Sequence, residues 1–87
     1  MSLDLNEALD LCREGRWDDA HQIVQKVDSR AACWLHAIIH REEGDLSNAR
    51  YWYSRASRAL PEETSVADEL ADYGRSLSSV GTGLNTE

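Results

Sequence analysis

The feature that most constrains this chain is a break between two helical stretches. In residues 36–61, HAIIHREEGDLSNARYWYSRASRALP, one amphipathic run ends at Gly44 and a second begins at Leu46. Glycine takes the left-handed backbone that closes a helix C-terminus without a Cβ penalty, and Asp45 is placed to cap the helix that follows. A connection this short leaves the two helices as neighbours, and Pro61 then stops the second one.

The same grammar extends along the whole chain. Leu5, Ala8, Leu9 and Cys12 recur at i, i+3, i+4 and i+7, which predicts a first helix over residues 4–14 closed by Gly15. A second helix is predicted over residues 17–27, with Asp18 and Asp19 at its positive end and Trp17, Ala20, Val24 and Val27 on its apolar face. Asp28 and Ser29 supply cap oxygens for a third helix, residues 30–43. The fourth, residues 46–60, presents Leu46, Ala49, Tyr53, Ala56 and Leu60. A fifth is predicted over residues 62–79, starting at Pro61-Glu62-Glu63 and carrying the stripe Val66, Leu70, Tyr73, Leu77 and Val80. Residues 81–87, GTGLNTE, lack periodicity and are expected to form a flexible tail.

Two segments repeat. EGRWDDA at residues 14–20 matches EGDLSNA at residues 43–49, an offset of 29 positions (43 − 14) that also superposes Ala8 on Ala37. The pattern resembles the tetratricopeptide repeat. The second unit carries it best, through Ala37, Gly44, Leu46, Ala49, Tyr53, Ala56 and Pro61, and the first unit through Ala8, Leu11, Gly15, Trp17, Ala20 and Val24. YWYSRA also resembles the aromatic-rich helix of Sel-like repeats. The departures are the missing proline in the first unit, the short offset, and Cys33, His36 and His40 where the tetratricopeptide family has large apolar residues. The resemblance implies an all-α fold: two antiparallel helical hairpins in a right-handed stack, residues 3–28 and 29–60. A capping helix, residues 62–79, would complete a single domain over residues 1–80.

Composition narrows the function. At 87 residues the chain can bury a small core but has little room for a deep substrate pocket. Its net charge of −7 argues against nucleic acid, which is bound by clustered lysines and arginines, and favours a basic partner. The acidity is uneven: residues 1–61 hold ten acids and eight bases, residues 62–87 six acids and only Arg75. No apolar run is long enough for a membrane span or a signal sequence, and two widely spaced cysteines suit a reduced, cytoplasmic setting. No phosphate loop, nucleophile elbow or framed pair of acids is present, so neither catalysis nor a cofactor is expected.

Binding to a protein or peptide is the expected role. The resemblance places the exposed concave face on the first helix of each hairpin, where Trp34, Ile38 and Arg41 would stand beside Leu5, Leu9 and Cys12. Trp34 would anchor a partner and Arg41 select a carboxylate, since both residue types are enriched at interface hot spots. Burial of Trp34 against the fifth helix is the competing assignment. Tyr51 and Trp52 raise the same question, because a helix cannot bury three consecutive aromatics on one neighbour. A patch left uncovered by the fifth helix would serve a homodimer. An alternative chemistry is metal binding by Cys33, His36 and His40, at i, i+3 and i+7, with Cys12 or Glu43 as fourth ligand; packing is the simpler expectation for these three.

Overall fold

The computed structural model describes residues 4–83, with side chains through Leu77. Among the described residues the protein is all-α, with five helices and no strand: α1 Leu5–Arg13, α2 Trp17–Val24, α3 Arg30–Glu42, α4 Leu46–Arg55 and α5 Val66–Gly83. None of these is long and apolar enough to cross a membrane.

Local chemistry sets most of the boundaries. The Asp4 carboxylate accepts from the Asn6 amide at 2.9 Å to open α1, and the Ser29 hydroxyl accepts from the Ala32 amide at 3.1 Å to open α3. Gly15 (φ 79°) and Gly44 (φ 83°) close α1 and α3 in the left-handed region. Each closure carries the same bond pair. Arg16 N–H donates to Leu11 O and Gly15 N–H to Cys12 O; Asp45 N–H donates to His40 O and Gly44 N–H to Arg41 O. This is the Schellman arrangement, which satisfies carbonyls a helix end would otherwise leave unpaired.

A third copy of that closure ends α4 five residues before the expected stop. Arg58 N–H donates to Tyr53 O at 2.8 Å and Ser57 N–H to Ser54 O at 3.0 Å, with Ser57 at φ 62°. The apolar spacing continues to Leu60, but the left-handed turn at Ser57 redirects the chain and lays the Arg58 guanidinium over the Trp34 ring, 3.4 Å from its centroid. Pro61, Glu62 and Glu63 accordingly do not begin the fifth helix. Its start is at Val66, where the Ser65 hydroxyl accepts from the Asp68 amide at 3.0 Å. At the other end α5 continues through residues 81–83, which were expected in the tail, while residues 84–87 of that tail lie outside the described residues. Asp45 also departs from expectation: its carboxylate accepts from the Asn48 side-chain amide at 2.8 Å rather than capping the backbone of α4.

The core lies where the helices meet around α3. α1 packs on α2, α3 on α4, and α2 on α3, while α5 lies against α1 and α3. Ala8, Ala20, Leu35, Ala37, Ile38, Ile39, Ala49 and Tyr73 are fully enclosed. Small residues allow the close approaches. At Gly74 a methyl group would meet Leu9 Cδ2 at 3.3 Å and the tip of Arg13 at 2.7 Å, so α5 comes close to α1 there. Leu46, expected on the apolar face of α4, is 42% exposed because it is the first residue of the helix, immediately beyond the Gly44 turn.

The three closures differ in one respect, the Cβ carried by Ser57. A left-handed non-glycine residue costs roughly 1–2 kcal/mol. Ser57→Gly should therefore raise the urea midpoint at unchanged m-value, a gain of up to about 1 kcal/mol in unfolding free energy after the added unfolded-state entropy is discounted. Gly44→Ala, where nothing lies within 4 Å of the added methyl, should lower stability by about as much through backbone strain alone.

Candidate functional site

Two side-chain clusters flank α3. On one side α5 covers the face expected to be open. Trp34, Ile38 and Leu9 are buried, and Trp34 meets Tyr73 edge-on with ring centroids 4.8 Å apart. Glu69 of α5 is only 3% exposed, and three donors from α3 and α4 converge on it. Trp34 Nε1 donates at 2.9 Å, Arg41 Nη1 at 2.7 Å, and the Tyr53 hydroxyl lies 2.7 Å from both carboxylate oxygens. Arg41 also donates through Nη2 to the Thr64 carbonyl, and the Tyr73 hydroxyl donates to Ala31 O at 2.7 Å.

This arrangement corrects the placement of the anchor. Glu69 turns inward, because a buried carboxylate is tolerable only where charge-assisted donors replace its water. The Trp34 and Arg41 pair does hold a helix-borne carboxylate, but the helix belongs to the same chain. Trp34, Ile38 and Leu9 are thus core residues in this conformation. An open cleft of about 530 Å³ lies beside them, bordered by Trp34, Arg58, Pro61, Asp72 and Arg75. Burial pushes the Tyr53 hydroxyl well above the usual phenol range, and the adjoining Glu69 carboxylate adds to the effect.

On the other side, facing α2, lie three imidazoles. His36 and His40 come from successive turns of α3, and His21 enters from α2. His21 Nε2 stands 2.9 Å from His36 Nε2, and the ring centroids are 4.6 Å (His21–His36), 5.0 Å (His36–His40) and 5.4 Å (His21–His40) apart. Trp52 of α4 stacks flat on His36, with centroids 3.9 Å apart and planes 12° from parallel. Burial first, and then the neighbouring His21 and His40, push the His36 imidazole down to about 4, which keeps it neutral near pH 7. His40 Nδ1 is buried without a hydrogen bond; Glu43 Oε1 lies 3.3 Å away but out of alignment.

The structure therefore brings together two residues of the anticipated metal set and replaces the third. Cys33 lies one turn earlier on α3 and lines a cleft of about 290 Å³ with Val24, Val27, Trp52 and Arg55. His21 takes its place in the cluster. A signal for it existed: Trp17, Ala20, His21 and Val24 complete an i, i+3, i+4, i+7 stripe, so His21 shares the buried face of α2. Burial raises the Cys12 thiol to about 12, which leaves it protonated and unreactive. Of the aromatic pair on α4, Tyr51 is 53% exposed and Trp52 half-buried. Their rings meet edge-on at 5.0 Å, and the Arg55 guanidinium sits 5.5 Å from the Trp52 centroid and 5.9 Å from that of Tyr51.

No family model, no curated protein and no solved structure matches the chain, so these clusters are read from their own chemistry.

With Trp34 in the core, Trp34→Ala should cost roughly 3–5 kcal/mol of folding stability, as large aromatic deletions do. Urea unfolding followed by circular dichroism would show it. An unchanged midpoint would mean that α5 does not rest on this side chain.

Proposed function

We propose that this chain is a small protein–protein interaction module of the tetratricopeptide-like kind. Its first two helix pairs would form hairpins, α5 would act as their cap, and α4 would offer the contact surface. The repeat supports this reading. Positions 8 and 37, 20 and 49, and 24 and 53, each pair 29 residues apart, are buried in both units, and Gly15 and Gly44 close their first helices with identical bonds. Such units bury their faces by stacking, and α5 supplies the cover that a missing third unit would otherwise provide.

The observation that carries the role is the Tyr51, Trp52 and Arg55 cluster. An exposed tyrosine beside a half-buried tryptophan, with an arginine over both, combines rigid aromatic area with a charged donor, the composition of an interface hot spot. The helix that bears it contains Arg50 and Arg55 and no acid. Overall charge favours a basic partner, but this local surface favours an apolar or aromatic segment flanked by carboxylates. A second copy of the acidic chain is one source of such a segment.

Replacing Tyr51 with a photo-crosslinking amino acid should give a discrete adduct, whose mass separates a homodimer from a foreign protein. Arg55→Ser should weaken that adduct while leaving the melting temperature in place. Only diffuse crosslinking, or an adduct indifferent to Arg55, would overturn the assignment of this surface.

A further inference from the structure

The three imidazoles between α2 and α3 fit a ligand that neither the fold nor the interaction surface accounts for. Each neutral imidazole has one ring nitrogen that donates and one that accepts, so three rings in contact bring three lone pairs into a small volume. The protein partners of these rings use only part of that capacity, one lone pair being taken up between His21 and His36. His21 and His36 face each other through Nε2, and His40 Nδ1 is buried without any hydrogen bond.

We propose that His21, His36 and His40 form a binding site for a first-row divalent transition-metal ion, with zinc the best match. One ligand atom from each of the three lies within 4.8 Å of the others. Two nitrogens bound to one tetrahedral zinc at 2.0–2.1 Å sit about 3.3 Å apart, so small rotations about the side-chain bonds bring all three onto a single ion. Imidazole is a ligand of intermediate softness that suits Zn²⁺ and its neighbours Ni²⁺ and Cu²⁺, whereas Mg²⁺ and Ca²⁺ require oxygen. Trp52, stacked on His36, restricts the tilt of that ring. Glu43, whose carboxylate is 3.3 Å from His40 Nδ1, lies beside the cluster but outside the set of mutually close ligand atoms, which leaves the fourth position to a water. An ion bound there would tie α2 to α3 and so join the first helix pair to the second.

The experiment uses the full chain without a polyhistidine tag, stripped with EDTA and titrated separately with Zn²⁺, Co²⁺ and Mg²⁺. Zinc should bind one equivalent per chain and raise the melting temperature, and cobalt should give the intense visible bands of a tetrahedral centre; magnesium should do neither. His21→Gln and His40→Gln, at the half-buried positions, should each weaken zinc binding by about tenfold or more, whereas Cys33→Ser should leave it unchanged. His36→Gln is set aside because His36 also packs in the core, and circular dichroism verifies that the two chosen variants remain folded. Absence of stoichiometric zinc uptake by the wild-type chain would overturn the site and leave the three rings as packing. Uptake that survives His21→Gln but fails in Cys33→Ser would move it to a different set of ligands.

Discussion

The attachment of α5 depends on one buried carboxylate. Glu69 lies among Trp34, Arg41 and Tyr53, and each directs a donor at it. Burying a charge costs several kcal/mol of lost hydration, and the pairing with Arg41 offsets that only because the remaining lone pairs also find donors. The consequence is specificity of placement. An apolar stripe alone could slide or rotate on α1 and α3, whereas a carboxylate that needs three particular donors holds α5 in one register. The Arg41 bond to the Thr64 carbonyl extends the constraint to the segment that leads into α5.

α3 is the common partner of everything else. Its residues from Ala32 to Ile39 are buried without interruption, because α4, α5 and α2 each cover part of its circumference. A helix enclosed in this way must place polar side chains where they can be satisfied. Trp34 and Arg41 find Glu69 on the α5 side, and His36 finds His21 and Trp52 on the other. The two clusters follow from a single circumstance, a central helix that keeps polar residues within a chain of only 87 amino acids.

What could be read in advance follows the range over which each interaction acts. Gly15, Gly44 and Ser29 act through their own backbone or a side-chain bond three residues away, so helix ends at those positions were legible. Ser57 performs the same closure without glycine, and no residue-type signal distinguishes it from the helical positions before it. Glu69 carries no sequence signal that separates it from the other acids of α5, because its partners lie 16, 28 and 35 positions away. The histidine cluster was half legible. His36 and His40 share a face by spacing alone, but their meeting with His21 depends on how α2 lies across α3, which no periodicity within either helix specifies.

The position of α5 has a kinetic and thermodynamic consequence for any visitor to the same face. Only the ten residues 56–65 separate it from α4, so after a transient detachment the helix remains tethered at an effective concentration on the order of millimolar. A helix from another molecule competes with a resident that never diffuses away, and its apparent affinity is reduced by the fraction of time that resident spends docked. The tether thus acts as a threshold: weak, abundant amphipathic helices are excluded from α1 and α3 by mass action.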